Sequence, residues 1–383
     1  MLKNNASTSN RIRRRRRIPA LLLLLCMSLA GGVLAQPAPD LEAPFKQCPA
    51  LLPGNGSASI IASDNEHNIY FINSESNIIS IDQSARTENW RSQISGKILT
   101  DVHIDTGSLY FLTYFEDMEK KRIVSLNSMS LKTGLINWQR KISEFTETKD
   151  LRIQNKAPDR KFLYITGDNR LTAIGKDDGK QLWSKSFPLP IRSVEDSRDE
   201  KLSVLTDDSM YILYGRTGEE TQVRLQRKSP MYLLNNGSDL ILGYRTGEII
   251  KTRTQDGRSE PDWNLKTGGG VTGLYEYQNK VLATSLDNFV YMISKENGNL
   301  SWKKRVSGRI LIRPLIYQKQ AVVLTSGDNL ATIIDLESGK AVNQIRIEED
   351  NYFSGESYIS GRFLILQTFR GVYYFTNTNK NCN

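Results

Sequence analysis

The chain has 383 residues, 39% of them hydrophobic and 24% charged, which is enough apolar material for a large core or an array of small ones and excludes disorder along most of its length. The formal charge of +9 suggests a polyanion partner until it is divided: seven positive residues, Lys3, Arg11 and Arg13 to Arg17, fall in residues 1–35, where there is no acid, leaving +2 for the rest. Clustered excess cation is what a nucleic-acid surface needs, and the remainder intersperses both signs, so nucleic acid is not an expected partner.

In chain order, the five arginines lead into an apolar run from Ile18 through Leu21 to Leu25 and on to Val33-Leu34-Ala35, just before Gln36-Pro37. A basic segment, an apolar segment and a small-residue exit are the order of a secretory signal, so residues 1–35 are read as a cleaved signal peptide and the protein as periplasmic or secreted. The competing reading is an uncleaved membrane anchor, because the apolar stretch reaches the lower limit for a spanning helix, although Gly31-Gly32 weakens that helix. Cys26 stands inside the run, but Leu25 precedes it where a lipidation signal wants a small residue. Membrane contact is expected only if the signal stays attached.

Residues 36–58 form an N-terminal arm, and from residue 59 the chain repeats itself. Glycine turns followed by an aromatic strand recur as Lys132-Thr133-Gly134 with Trp138, Asp177-Asp178-Gly179 with Trp183, Asp256-Gly257 with Trp263, and Glu296-Asn297-Gly298 with Trp302. Gly218 and Gly339 mark the same place without a tryptophan, and Arg86 with Trp90 marks it without the glycine. Successive turn glycines, from Gly134 to Gly339, lie 45, 39, 39, 41 and 41 residues apart. Within each period, short stretches such as 161–166, 171–174 and 181–185 alternate apolar and polar residues, the signature of strands joined by hairpins. A further β-rich segment precedes each trio, for example Met231 to Leu234 or Ile310-Leu311-Ile312. Four strands in about 40 residues make a propeller blade, and residues 59–383 hold eight of them. The expected fold is all-β, an eight-bladed β-propeller of four-stranded antiparallel blades, with seven blades as the alternative.

The cassette from Ala173 to Trp183 resembles the quinoprotein-type (PQQ-like) propeller repeat, with an alanine, a Gly-Lys turn and a tryptophan at matching places; 294–302, 128–138 and 333–340 resemble it too. The resemblance implies that Trp90, Trp138, Trp183, Trp263 and Trp302 pack blade against blade. It is shared by two kinds of protein. Quinone-dependent dehydrogenases are usually larger, hold calcium and quinone over the ring centre and often carry an adjacent-cysteine disulfide, which this chain lacks. The outer-membrane protein assembly factor B class is a non-catalytic eight-bladed propeller of nearly this size.

Catalytic chemistry is sparse. Only His67 and His103 exist, and no phosphate-cradling loop or nucleophile elbow is present. Asp168-Asn169, Asp207-Asp208, Asp287-Asn288 and Asp328-Asn329 recur at one hairpin of four blades; they suit tight turns better than a metal site, because hairpins around a ring do not converge. No cofactor is expected. The hairpin of the second repeat swells, and its Tyr114, Phe115, Lys120, Lys121 and Arg122 form a candidate partner-binding loop. The reading is an exported, monomeric, non-catalytic scaffold for a protein partner in the envelope, with a quinone-dependent dehydrogenase or a ligand- or carbohydrate-binding propeller as alternatives.

The last repeat stops after Gly371-Val372-Tyr373-Tyr374-Phe375, short of an outer strand. The arm offers one in 45–51, which would close the ring and bring Cys48 to Cys382, so a disulfide between them is expected.

Overall fold

Alternation along each repeat becomes strands whose two faces both meet protein. The second strand of the third repeat, Phe162–Gly167, is buried at every position, whereas its fourth, Gln181–Ser186, is largely exposed. A sheet sandwiched between neighbours buries its middle strands on both sides and leaves its edge to solvent. The computed structural model describes residues 39–49, 59–64, 67–83, 85–99, 102–105, 107–116, 122–142, 151–154, 161–196, 201–236, 239–255 and 258–382. The signal reading of residues 1–35, with Cys26, lies outside them.

Among the described residues there are only strands, and they form eight antiparallel blades. Blade 1 spans residues 59–93, blade 2 97–142, blade 3 152–186, blade 4 193–224, blade 5 230–266, blade 6 271–305 and blade 7 315–346. Blade 8 takes three strands from 353–377 and its fourth from the arm, Phe45–Cys48, which pairs antiparallel with Gly371–Asn377 in the register Phe45 to Asn377 and Cys48 to Tyr374. Cys48 and Cys382 are joined by a disulfide. The first strand of blade 7 is Leu315–Tyr317, not Ile310-Leu311-Ile312 as the β-rich pattern suggested. Pro314 has no N–H to donate to a ladder, so pairing begins only after it.

Eight buried apolar clusters lie between the blades, one at each junction. In Asn68–Ile72, Ile69 and Phe71 face blade 8 while Tyr70 faces blade 2, so one strand's alternation feeds two cores. The Cys48 side chain belongs to the cluster that closes the ring between blades 8 and 1.

A β-bulge aims each tryptophan. In blades 1, 2, 3, 5 and 6 the fourth strand skips one residue in the ladder immediately before Trp90, Trp138, Trp183, Trp263 or Trp302. The extra residue re-aims the next side chain out of the sheet. The ring then crosses to the following blade, where its Nε1 donates to a turn carbonyl, Leu131, Lys176, Gly215, Lys295 or Leu336, at 2.8 to 3.1 Å. The same turn presents a glycine in the left-handed region, and a Cβ on Gly134, Gly179, Gly218, Gly298 or Gly339 would fall within 2.8 Å of that ring. The glycine is needed twice, for its φ and for the missing Cβ. Each tryptophan is thus matched to the glycine of the next repeat, about 40 residues on, rather than to the glycine just before it.

Candidate functional site

In an antiparallel meander the first-to-second and third-to-fourth turns lie at one end of a blade, and the second-to-third hairpin lies at the other with the connection to the next blade. The ring therefore has a turn face, which carries the tryptophan clasps, and a loop face.

Blade 2 extends furthest on the loop face. Its middle strands, Ser108–Glu116 and Arg122–Ser130, have nine residues each, against six for Phe162–Gly167 and Arg170–Gly175 in blade 3. A short extra strand, Lys97–Ile98, pairs with the extension at Tyr114 and Thr113. Phe115 points outward, 42% exposed, but Tyr114 packs against the cluster between blades 2 and 3 and is not a free anchor. Lys120 and Lys121 lie outside the described residues; Arg122 is placed only by its backbone, opposite Glu116.

On blades 6 to 8 the same face exposes Leu286, Leu311, Tyr352 and Phe369, at 40, 60, 38 and 67%. Leu286 and Phe369 sit in second-to-third hairpins, and Leu311 and Tyr352 in blade-to-blade connections. The Tyr352 and Phe369 rings stack with centroids 5.1 Å apart and planes 16° apart. The sequence reading missed this pair, although a signal existed: blade 8 has Phe369-Arg370 where four other blades have an Asp-Asn or Asp-Asp pair. The remaining large exposed apolar residues, Leu135, Ile136, Leu182, Tyr214 and Leu300, lie toward the turn face, dispersed over blades 2, 3, 4 and 6. Leu182 is itself the bulge residue before Trp183.

The repeated hairpin acids are used locally. Asp168 and Asn288 adopt positive φ, 49° and 68°. Asp207 receives both Arg192 Nε and Nη2 at 2.8 and 2.9 Å, and those bonds hold its carboxyl below the usual range. Asp287 accepts from Gly268 N at 2.7 Å, Phe289 N at 3.1 Å and the Tyr291 hydroxyl. Asp328 accepts from Asn329 N at 2.7 Å and Thr325 Oγ1 at 3.2 Å. No group of three or more His, Cys, Asp or Glu among the described residues could hold a metal ion.

On the axis, the first strands of blades 4, 5 and 6, with residues from blades 3, 7 and 8, surround a cavity of about 720 Å³. An adjoining space of about 360 Å³ shares Arg152, Arg192 and Tyr232 with it and reaches Asp168 and Pro190 on the loop face. Tyr275 stands inside the cavity because Gly273, two residues earlier on the same face of the strand, has no side chain: a Cβ there would lie 2.3 Å from the tyrosine hydroxyl. The Arg313 guanidinium lies 6.0 Å from the Tyr275 ring centroid, a cation–π distance. Burial pushes the Tyr275 hydroxyl up to about 12 and raises that of Tyr232 as well.

A closed ring of eight four-stranded blades, clasped by a tryptophan on the next repeat's glycine turn, is a PQQ-like β-propeller. The family model described as outer membrane protein assembly factor BamB matches residues 38–198 and 245–352, well over half of the chain, and the protein belongs to that family. The interval 199–244 holds most of blade 4 and the first two strands of blade 5. The fold is similar to the crystal structure of BamB from Moraxella catarrhalis, with a TM-score of 0.63 and 12% identity over 88% of this chain and 99% of that one. It is equally similar in kind to the computationally designed Ika8 protein, with a TM-score of 0.66 and 12% identity over 85% and 98%. At that identity the likeness is one of fold. No curated protein sequence matches the chain.

Proposed function

We propose that the protein is a non-catalytic scaffold of the bacterial envelope that docks a partner protein on its loop face. The observation that carries this reading is the stack of Tyr352 on Phe369 in the open, on the same face as the exposed Leu311 and Leu286 of blades 6 and 7. Exposed apolar side chains gathered on neighbouring loops are characteristic of interaction sites, whereas single ones are ordinary surface. Phe115 on the blade 2 hairpin supplies a second anchor on that face. Family membership and the disulfide support an oxidising compartment outside the cytoplasm.

The test is association with envelope proteins after photo-cross-linking from position 352, compared between the otherwise natural chain and the double variant Phe369→Glu, Leu311→Glu. The loop-face variant loses the cross-linked species, while Leu135→Glu on the turn face retains them. Equal cross-linking by all three proteins would move the docking site elsewhere. Dye-linked oxidation of alcohols or sugars after addition of quinone and calcium would replace the scaffold reading with the dehydrogenase one.

A further inference from the structure

Where the ring closes, between blades 8 and 1, buried polar atoms gather without partners. The contrast is with the junction between blades 2 and 3. There Lys176, three residues before the clasp glycine Gly179, reaches back to Asp105 at the end of the first strand of blade 2, and the two form a buried ion pair. Gln83 holds the lysine's place in blade 1, three residues before Arg86, whose φ of 57° falls in the same left-handed region as the clasp glycines. The Gln83 N–H donates to His67 O at 2.9 Å, as that of Lys176 does to Lys161 O at 2.9 Å. Ser360 holds the aspartate's place, opposite Phe363 as Asp105 is opposite Ser108. Alternation turns both toward the shared boundary: Ile79 and Ile81 face blade 8, so Gln83 does, and Tyr358 faces blade 1, so Ser360 does.

Gln83 is 1% exposed and Ser360 is fully buried, yet neither amide atom of Gln83 nor the Ser360 hydroxyl has a hydrogen-bond partner. The buried Tyr374 hydroxyl in the same cluster has none either. The fourth group is Arg362, in the first-to-second turn of blade 8. Its guanidinium lies 5.1 Å from the Phe363 ring centroid, which is 6.2 Å from that of Tyr374. Arg362 Nε and Nη2 are buried and unpaired. That edge is the two-pronged fork with which Arg192 holds Asp207 and Arg91 holds Glu88. Burial and the nearby Arg86 charge both push the Arg362 guanidinium down from the usual arginine range. Arg86 is committed to the carbonyls of Cys382 and Pro49, at 3.2 and 3.3 Å, so it adds charge rather than open donors.

We propose that this junction binds one hydrogen phosphate ion, gripped by the Arg362 fork and completed by Gln83 Nε2, Ser360 Oγ and Tyr374 Oη. These five donors outnumber the roughly four acceptor sites of a carboxylate, and a charge near −2 balances two guanidiniums. Gln83 Oε1, the acceptor among them, takes the proton that the ion retains. Matching buried donors removes the desolvation cost of leaving them unpaired. Because Arg86 ties Cys382 to Pro49, the ion sits beside the disulfide and stabilises ring closure by mass action. The site belongs to the turn face, so it and the loop-face patch can fail separately.

Isothermal titration of the full chain at constant ionic strength, with sodium phosphate, sulfate and acetate as probes, tests the proposal. Phosphate binds one-to-one and raises Tm; sulfate, which carries no proton, binds about threefold more weakly and acetate about tenfold or more. Arg362→Gln weakens phosphate binding about tenfold or more, and Tyr374→Phe, which removes only a hydroxyl, about threefold to tenfold. Arg362→Gln removes an unmatched buried charge, so without phosphate it melts no earlier than the natural chain; should it melt early, Tyr374→Phe and Gln83→Leu carry the readout. No binding at millimolar phosphate, sulfate or acetate binding as tightly as phosphate, or a phosphate affinity unchanged in these variants would overturn the proposal.

Discussion

Five of the eight junctions are held by the same device, a bulge, a tryptophan and the next repeat's glycine, and the junction between blades 4 and 5 has neither the bulge nor the tryptophan. The fourth strand of blade 4, Glu220–Arg224, pairs without a bulge. Gln222, four residues after Gly218 as Trp183 is four after Gly179, turns its amide back to Ser209 and Tyr211 of its own blade. Instead, blade 5 lengthens its outer hairpin to Glu248–Gln255 and Arg258–Lys266 and lays it beside blade 4, with a parallel pairing of Arg224 to Arg258. The Ser259 hydroxyl also accepts from Gln226 N at 3.1 Å. Main-chain pairing here replaces side-chain docking. The family model lapses over 199–244, next to this junction. The 7–8 junction is intermediate: it keeps the bulge, and Asn343 in the tryptophan place donates to Leu41 and Ala43 carbonyls of the arm at 3.2 and 2.8 Å.

The largest effect is expected where the ring closes. The disulfide spans 334 residues, for which loop-closure entropy gives about 6 kcal/mol of stabilisation. Replacing Cys48 and Cys382 with serine should lower unfolding free energy in urea by several kcal/mol and make blade 8 exchange its amides fastest. A loss below 1 kcal/mol would mean that the strand pairing of Phe45–Cys48 and the Asp40–Asn377 hydrogen bonds, at 2.7 and 2.9 Å, already close the ring unaided.

Next come the clasps. Trp138→Ala should cost about 3 kcal/mol, since a large, partly buried ring and its hydrogen bond to Lys176 both go. Gln222→Ala, at the unclasped junction, should stay within about 0.5 kcal/mol. Equal losses in thermal unfolding would erase the distinction between the two kinds of junction.

Glycine separates backbone strain from ring contact. Gly179 and Gly327 have similar φ, 68° and 73°, but a Cβ on Gly179 would lie 2.6 Å from Trp138, while nothing lies within 4 Å of one on Gly327. Gly327→Ala should cost about 1 kcal/mol and Gly179→Ala about 2 to 3 kcal/mol. In the Trp138→Ala variant, Gly179→Ala should cost less than in the natural chain, because the ring is gone and only the flexible Arg140 side chain, 2.6 Å from the new Cβ, still has to shift.

The smallest effect is the acid response of blade 5. Glu248 receives hydrogen bonds from Thr246 and from Arg227 Nη2 at 2.8 Å, and pairs with Lys266 at 2.9 Å; these hold its carboxyl down to about 2. A carboxylate depressed in the folded state stabilises it fully above the ordinary glutamate value and loses that contribution as pH falls toward 2. Glu248→Gln should therefore lower stability slightly at pH 7 and flatten the decline between pH 5 and pH 2. An unchanged acid limb would show that Glu248 contributes nothing there.

Local pattern determined much of this protein. Period-two alternation and glycine turns every 40 residues specify strands, hairpins and eight repeats, because each depends on residues within one blade. The missing outer strand of the last repeat was legible for the same reason. What the tertiary structure alone decided is who meets whom across repeats. That Trp138 belongs to Gly179 and not to Gly134 depends on a bulge that turns the ring across a blade boundary. That Tyr114 is half-buried while Phe369 stacks in the open on Tyr352 depends on neighbouring blades. The axial cavity draws its arginines and glutamates from blades 3 to 8, separated by up to about 200 residues of chain. Sequence periodicity records the face a residue takes within its own sheet; only closure of the ring sets those faces opposite one another.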